Sequence, residues 1–311
     1  MERDGGEPTR IAHPRAALVL GRASEPLAPG TMVAGRYRIE HLIGRGGVSA
    51  VHAARDENTG TAVAVKVIHD EHLTDDVLRR RFIREARISA QLTTPHVARV
   101  LDCGVLETGA PFIVLERLFG QDLDQVIVQR GALPVAEAVD LVCEALAGVA
   151  AAHAAGIVHR DLKPGNLFLA SVEGGTIVKV LDFGIARALA VIAHPGDVST
   201  STSEVFGTVS YMAPEQLRSS KQADERSDIW ALGVILFELL TTCYPFEPAN
   251  FAAFVLSVLE QEPASVGRHR SDVPAGLAPE AARDRAVRLG ARRRCARRGG
   301  GRVRARGARR G

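Results

Sequence analysis

The decisive stretch of this sequence is HRDLKPGN at residues 159–166, which DFG at residues 182–184 follows sixteen residues later. Asp161 is a proton acceptor, and a lysine follows two residues after it. Asn166 and Asp182 carry oxygens of the hard type that Mg²⁺ prefers. A proton acceptor, a cation and two metal-ligand oxygens in one short span are the groups needed to move a phosphoryl group. A chance loop rich in Asp and Lys is the alternative, and the presence of both motifs at this spacing argues against it.

Length and composition limit the class of protein. The chain has 311 residues, of which 46% are hydrophobic, enough for one two-lobed unit or two domains. Its four cysteines lie far apart without CxxC spacing, which predicts a reduced protein with neither a disulfide framework nor a zinc site. Residues 1–30 contain no secretion signal, and the apolar segment 230–240 contains Glu238 and is too short to cross a bilayer. We therefore expect no membrane anchor and a cytoplasmic location.

The formal net charge of +3 hides an uneven distribution. Residues 279–311 contain 13 Arg against Glu280 and Asp284, a net charge of +11, so the rest of the chain carries −8. The body is therefore mildly acidic. The basic tail is the only feature that points to nucleic acid as a partner, and the rest of the sequence disfavours one.

The chain divides into segments by composition and periodicity. Residues 1–34 are rich in Gly, Pro and charge and are expected to form a disordered leader. From Tyr37 to about Glu116, short apolar and polar alternations predict strands, with one helix over 75–91. Helical patterns dominate beyond residue 122. They cover 135–155, 227–241 and 249–261, and short strands are expected at 167–170 and 178–181.

The order of motifs along residues 37–265 resembles the protein kinase superfamily, in particular the bacterial eukaryotic-like serine/threonine protein kinases. These motifs are a glycine-rich loop, a strand lysine, HRDLKPGN, DFG and APE, in that order. The resemblance implies an α+β fold of two lobes. The N-lobe has a small antiparallel sheet with one main helix, and the C-lobe is larger and helical. The kinase domain would cover residues 35–278, with the N-lobe at about 35–116 and the C-lobe at about 119–278.

The resemblance places ATP in a cleft between the lobes. The segment IGRGGVSAV at residues 43–51 resembles the glycine-rich loop GxGxxGxV, although a plain glycine hairpin would give a similar pattern. Ser49 replaces the third glycine, which we expect to weaken or slow nucleotide handling. Lys66 would bind the α- and β-phosphates and pair with Glu85 on the helix, whereas an edge lysine in solvent is the alternative.

The connector between the lobes is expected to bind the nucleoside. Backbone groups of Glu116 and Leu118 would bind adenine, and Asp122 would accept from the ribose hydroxyls. Apolar side chains on both sides would sandwich the base. The full expected ATP-binding set is Ile43, Gly44, Gly46, Gly47, Val51, Ala64, Lys66, Glu116, Leu118, Asp122 and Phe168.

The resemblance also assigns the groups that carry out the chemistry. Asp161 would act as general base, worth about 10²–10⁴ in rate. Lys163 would neutralise charge on the moving phosphoryl group, and its position is typical of Ser/Thr rather than Tyr kinases. With these two, Lys66 and Glu85 complete the expected catalytic set. Asn166 and Asp182 would hold Mg²⁺, with Mn²⁺ as a second candidate metal.

Residues 199–215 resemble an activation segment. Thr208 would help to shape the substrate site, and Glu215 belongs to the APE motif at its end. The run STSTS at residues 199–203 is a polar loop, and by position Thr200 and Thr202 resemble paired phosphorylation sites. A phosphate there could pair with Arg160 and order the loop. Asp228 either bonds the catalytic-loop backbone or simply caps a helix, and both roles are structural.

The sequence departs from the family after residue 277. Two more C-lobe helices are expected there, one with an arginine that pairs with Glu215. The actual sequence is rich in Arg, Ala and Gly and lacks helical apolar spacing, so the C-lobe looks incomplete. A frameshift or gene-model error near 277–280 would explain this. A genuine basic tail that binds acidic partners and an inert disordered tail are the alternatives.

We therefore predict a protein kinase that transfers the γ-phosphate of ATP to Ser and Thr hydroxyls of proteins in bacterial signalling, with autophosphorylation of its activation loop. The alternative is a catalytically impaired, kinase-like scaffold, because the last C-lobe helices are missing. Substrates, activating signal and oligomeric state do not follow from the sequence.

Overall fold

The computed structural model describes residues 26–46, 49–68, 76–183, 209–219, 222–246 and 250–274. The chain divides into two compact units, Met1–Gln261 and Glu262–Gly311, and the first contains both lobes. Several predictions lie outside the described residues: Gly47, Thr200, Thr202, Thr208, most of the leader and the basic tail.

Six antiparallel strands form the N-lobe sheet, in the spatial order β1-β2-β3-β4-β6-β5. In β4, Val63, Val65 and Val67 face one apolar core, whereas Ile68 on the opposite face packs against a helix. This alternation puts Lys66 on the helix-facing side of the sheet. The strands are β1 (Met32–Val33), β2 (Tyr37–Arg45), β3 (Ser49–Asp56), β4 (Ala62–Ile68), β5 (Val100–Val105) and β6 (Pro111–Glu116).

The ordered sheet begins earlier than expected. Met32–Val33 were included in the leader, but they pair with β2, and Val33 is fully buried in the sheet core. The sheet also curls strongly on itself. Tyr37 on β2 donates a hydrogen bond from its hydroxyl to Oδ2 of Asp102 on β5, at 2.8 Å, although three strands separate β2 from β5 in the sheet.

The one N-lobe helix, α1 (Asp76–Ser89), packs on the sheet. Phe82 and Ala86 are buried against Ile68 and Ile113, at the spacing expected of one helix face. The helix agrees with the predicted span of 75–91 and holds Glu85 on the side of the sheet that also carries Lys66.

Five helices and a small sheet make up the described part of the C-lobe. The sheet has the antiparallel order β7-β8-β9. Its strands are β7 (Gly120–Asp122), β8 (Leu167–Val172) and β9 (Gly175–Val180). The helices are α2 (Leu123–Arg130), α3 (Val135–Ala154), α4 (Pro214–Arg218), α5 (Glu225–Thr241) and α6 (Phe251–Glu260).

Helix α3 passes unusually close to the segment between α1 and β5. A Cβ at Gly148 would lie 2.5 Å from the carbonyl oxygen of His96, so only glycine permits this approach. The same carbonyl accepts from the backbone N–H of Val180 on β9, at 2.9 Å. The contact fixes α3 behind the strand that leads to DFG.

Helix α5 is the central buried helix of the C-lobe. Asp224 caps it by accepting from the N–H of Arg226 at 2.9 Å, and the hydroxyl of Ser227 accepts from the N–H of Asp224 at 3.3 Å. The helix therefore starts at Glu225, two residues before the predicted start. Farther along the chain, α6 packs through Phe254 and Val258 on an apolar cluster with Val209 and Phe246.

The second unit is described only for residues 262–274. It contains a single 3₁₀ turn, Val266–Arg268, and an ion pair of 2.6 Å between Arg270 and Asp272. Within the described ranges, no helix combines the length and the apolar character needed to cross a bilayer. The predicted α+β fold, with a curled antiparallel sheet in one lobe and helices in the other, is confirmed.

Candidate active site

Residues 159–166 form a loop between α3 and β8, and one buried carboxylate fixes its backbone. Asp228 on α5 is 1% exposed. Its two oxygens accept from the backbone N–H groups of His159 and Arg160, each at 2.8 Å. Nε2 of His153 on α3 donates to the same carboxylate at 2.7 Å. Asp228 therefore anchors the loop, and the helix cap that was its alternative role is provided by Asp224.

Two residues in and near this loop adopt left-handed backbone conformations. Arg160 has φ of +70° and Asp182 has φ of +61°. Such conformations cost roughly 1–3 kcal/mol outside glycine and persist only where neighbouring contacts fix them. For Arg160, Asp228 holds the N–H, and the side-chain amide of Gln216 donates to the carbonyl at 2.9 Å.

His159 joins the catalytic loop to the DFG segment. Its ring is fully buried and packs edge-on against Phe183, with ring centroids 4.9 Å apart. Nε2 lies 2.7 Å from the carbonyl oxygen of Leu181, and Nδ1 lies 3.3 Å from the N–H of Asp161. The first partner accepts and the second donates, which suits a tautomer with its proton on Nε2 and a lone pair on Nδ1.

Asp161 lies among polar groups that orient its carboxylate. Nζ of Lys163 is 3.4 Å from Oδ2 of Asp161. Nδ2 of Asn166 donates to the Asp161 carbonyl at 2.7 Å and approaches Oδ2 at 3.3 Å. The Asp161 side chain is 27% exposed, so a hydroxyl group from solvent can reach it. These contacts suit a general base held in one orientation.

Lys66 and Asp182 meet across the cleft between the lobes. Nζ of Lys66 donates to Oδ2 of Asp182 at 2.7 Å, and the lysine side chain is only 9% exposed. Desolvation is the largest effect and opposes ionisation of Asp182, but the charge and hydrogen bond of Lys66, together with His159 and Lys163, outweigh it and lower the pKa of this carboxyl. Glu85, the partner expected for Lys66, is half-buried on α1. The pairing of Lys66 with Glu85 stays a prediction.

Asn166 and Asp182 offer a donor set that fits Mg²⁺ or Mn²⁺. Since Nδ2 of Asn166 binds Asp161, the amide oxygen is the atom that can bind a cation. Asp182 supplies a carboxylate kept ionised by Lys66. One carboxylate and one amide oxygen suit a hard ion whose remaining ligands are phosphate and water.

The glycine-rich segment forms the hairpin between β2 and β3. Gly44 pairs with Val51, and the N–H of Gly46 donates to the carbonyl of Ser49 at 2.8 Å. A register shift falls between Leu42 and Gly44. Ile43 is 41% exposed at the start of the hairpin. Val51 and Ala64 lie on the adjacent strands β3 and β4, so the expected base-contacting residues of the N-lobe share one sheet.

Glu116 fixes the connector with its side chain and its N–H. Its Oε1 accepts from the N–H of Arg99 at 2.9 Å and from Nζ of Lys179 at 2.7 Å. The N–H of Glu116 donates to the Arg99 carbonyl at 3.0 Å. This leaves its own carbonyl as the group that could bind adenine. Leu118 is half-buried two residues farther on, and its role stays a prediction.

Asp122 has a second task besides the one expected. It caps α2, accepting from the N–H of Gln125 at 2.8 Å and from its side-chain amide at 3.0 Å. Partial burial raises the pKa of Asp122. Phe168 faces Asp122 in the register of β7 and β8, which places both at the same edge of the cleft. Ribose binding by Asp122 stays a prediction.

The segment after residue 208 is fixed to α5 by side-chain hydrogen bonds that motif order did not predict. The hydroxyl of Ser227 donates to Glu215 at 2.7 Å, and the arginine expected to pair with Glu215 falls outside the described residues. The hydroxyl of Tyr211 donates to Oε2 of Glu238 at 2.6 Å. Burial raises the pKa of Glu238 to about 7, although the bond from Tyr211 opposes this shift. A charged residue within an apolar helix was the available signal for Glu238.

Comparison with known proteins agrees with this geometry. Residues 37–274 match the family model described as protein kinase domain. Serine/threonine-protein kinase pkn3 of Myxococcus xanthus is 40% identical over 244 residues, which cover 78% of this chain and 44% of the relative. Serine/threonine-protein kinase PrkC of Bacillus subtilis is 36% identical over 245 residues, covering 79% of this chain and 36% of the relative. The chain thus spans less than half the length of these relatives.

A solved structure has the same architecture. The crystal structure of the Mycobacterium tuberculosis PknI kinase domain matches with a TM-score of 0.61 and 28% identity. The match covers 80% of this chain and 87% of that one. The family match, over residues 37–274, extends across the cleft and the loop that carry the geometry above.

Proposed function

This chain belongs to the protein kinase domain family, and we propose that it transfers the γ-phosphate of ATP to Ser and Thr hydroxyls of proteins. The relatives named as serine/threonine kinases support this activity, as does Lys163, whose position is typical of that class. The proposal includes bacterial signalling in the cytoplasm and autophosphorylation at Thr200 and Thr202.

One observation carries the proposal: Asp182, Asp161 and Lys66 belong to one connected set of contacts. Lys66 bonds Asp182, and His159 bonds Leu181, the residue before Asp182. Nδ2 of Asn166 donates to the carbonyl of Asp161. The backbone N–H of Asn166 donates to the carbonyl of Lys163 at 2.9 Å. Cleft and catalytic loop are thereby held in a single arrangement.

Each group has a definite task in the proposed reaction. Asp161 accepts the proton of the attacking hydroxyl, and Lys163 faces the charge that develops on the phosphoryl group. Asn166 and Asp182 would hold the metal ion, which neutralises charge on the phosphates. Lys66 would bind the α- and β-phosphates, and the hairpin between β2 and β3 would cover them. The connector between the lobes would hold adenine through the backbone of Glu116 and Leu118.

The alternative function, a kinase-like scaffold without activity, has no observation in its favour among the described residues. Its premise was the missing end of the C-lobe, which lies outside those residues. Ser227 already bonds Glu215, the carboxylate that the missing arginine was expected to hold.

The test is transfer of radiolabelled γ-phosphate from ATP to myelin basic protein. We expect Asp161→Asn to lower kcat by about 10²–10⁴ because the proton acceptor is lost. Asp140→Asn, on an exposed position of α3, is the matched control and should keep full activity. Phosphoamino-acid analysis should give phosphoserine and phosphothreonine. Equal incorporation by wild type and Asp161→Asn would refute the proposal.

A further inference from the structure

Gln216 on α4 spans two backbone segments with the two ends of one amide group. Its Nε2 donates to the carbonyl of Arg160 at 2.9 Å, and its Oε1 accepts from the N–H of Ala213 at 3.1 Å. We infer that Gln216 is a positioning residue for phosphoryl transfer, which sets the orientation of the proposed base by holding the peptide group that precedes it. The inference rests on the proposed function.

The bond from Gln216 reaches the one peptide group that most directly controls Asp161. The carbonyl of Arg160 belongs to the peptide unit between Arg160 and Asp161. Rotation of that unit changes the direction in which the Asp161 side chain leaves the backbone. Arg160 has φ of +70°, a conformation that relaxes unless it is held from both sides. Asp228 holds its N–H at 2.8 Å, and Gln216 holds its carbonyl.

Gln216 and Asp161 also line the same small cavity, together with Tyr211 and Met212. Asp228 and Ala231 of α5 line it as well, so the cavity lies among the catalytic loop, α4 and α5. The amide therefore links the residue before the proposed base to the segment that contains Tyr211.

Helix α4 has a second anchor besides Gln216, whose Oε1 caps its first turn. The hydroxyl of Ser227 donates to Glu215 at 2.7 Å, which fixes α4 to the start of α5. Removing the Gln216 amide should therefore loosen the Arg160–Asp161 peptide without releasing α4. This separates a positioning role from a general role in folding.

Two substitutions test the inference. Gln216→Met removes both bonds at nearly constant size. Gln216→Glu keeps the acceptor for the N–H of Ala213 but, when ionised, sets a carboxylate against the Arg160 carbonyl. Protonation of the new carboxyl restores a donor, so its defect should depend on pH. Gln222→Glu, at an exposed position between α4 and α5, is the control for added charge.

The measurements are kcat and both KM values with ATP and myelin basic protein. We expect kcat to fall about tenfold in both Gln216 variants, because small errors in the position of a base are costly. The KM for ATP and the thermal unfolding midpoint should stay near those of wild type. The kcat of Gln216→Glu relative to wild type should recover as pH falls from about 6 towards about 4.5, where a glutamate begins to take up a proton.

Hydrogen exchange gives a readout that needs no activity. The amides of residues 160–162 should exchange faster in Gln216→Met than in wild type. Wild-type kcat in both variants, or a loss of kcat matched by unfolding and without the pH-dependent recovery, would overturn the inference. Failure of the proposed function is seen separately, as equal incorporation by wild type and Asp161→Asn.

Discussion

The two walls of the cleft are held very differently. On the C-lobe side, the catalytic loop is bonded by Asp228, Gln216 and the ring of His159, all through groups buried or half-buried in the lobe. On the N-lobe side, the tip of the glycine-rich hairpin is closed by a single described bond between Gly46 and Ser49. In the proposed reaction, the side that handles the proton would therefore be pre-organised, and we expect the side that would cover the phosphates to adjust to the nucleotide.

Asp228→Asn should loosen the backbone of the catalytic loop and give the largest effect. An amide has one acceptor oxygen, so it can accept from only one of the N–H groups of His159 and Arg160. Its NH₂ group would face the other N–H, and that hydrogen bond would be lost. We expect kcat to fall about 100-fold and the free energy of unfolding to fall by about 2–4 kcal/mol. Enzyme assays and urea denaturation measure these changes.

The control for Asp228 comes from the same helix turn. Asp224→Asn keeps a good cap, because Asn caps helices as well as Asp does. Its kcat and stability should stay close to those of wild type. If both variants lost the same activity, the role of Asp228 would reduce to support of the helix start.

Glu238 should make the rigid wall sensitive to pH, an effect of intermediate size. Its pKa rises from 4.5 to about 7 because of burial, opposed by the Tyr211 bond and assisted by the charge of Asp124. The folded protein thus keeps a proton that the unfolded chain releases. Stability should therefore fall as pH rises from about 4.5 to about 7, by up to about 3 kcal/mol.

Glu238→Gln should remove this pH dependence, since the amide does not titrate. Denaturation curves of wild type and variant between about pH 4.5 and about pH 7.5 measure the difference. Glu260→Gln, at an exposed position of α6, should leave the wild-type slope unchanged. Parallel slopes for wild type and Glu238→Gln would show that Glu238 stays ionised in the folded state.

Ser49→Gly changes the glycine-rich hairpin of the N-lobe and should give the smallest of these effects. Ser49 stands where the family has its third glycine, and its side chain is 8% exposed. Removing the side chain lets the backbone come closer to a phosphate. We expect the KM for ATP to fall about threefold, about 0.6 kcal/mol of binding. Unchanged or weaker ATP binding would contradict an adverse effect of Ser49.

The sequence predicted best where function is carried by short runs of residues. Strands and helices were predicted from local pattern, and motif order selected Lys66, Asp161, Asn166 and Asp182, which the structure brings into two contacting pairs. The contact between Lys66 and Asp182 did not follow from the sequence. Asp182 lies 116 positions away, and the contact depends on how the lobes meet. Local pattern carries no information on such a distance.

The sequence missed residues whose role depends on distant contacts. Gln216 follows the APE motif and bonds a carbonyl 56 positions earlier, and Glu238 bonds Tyr211 across 27 positions. The start of α5 was placed at Ser227 because residues 227–233 resemble the start of a buried helix in the family's C-lobe. Ser227 and Asp224 in fact form the capping pair of that helix, which extends it to Glu225.

The bond between Tyr37 and Asp102 has a mechanical consequence for the N-lobe. The bond links β2, which leads into the glycine-rich hairpin, to β5. Strand β5 is the neighbour of β6, which leads into the connector between the lobes. A sheet fastened in this way behaves as a stiff shell, so a force on the hairpin tip is not absorbed by sliding between strands. Bending is then expected at the two register shifts of β2, between Ile39 and His41 and between Leu42 and Gly44.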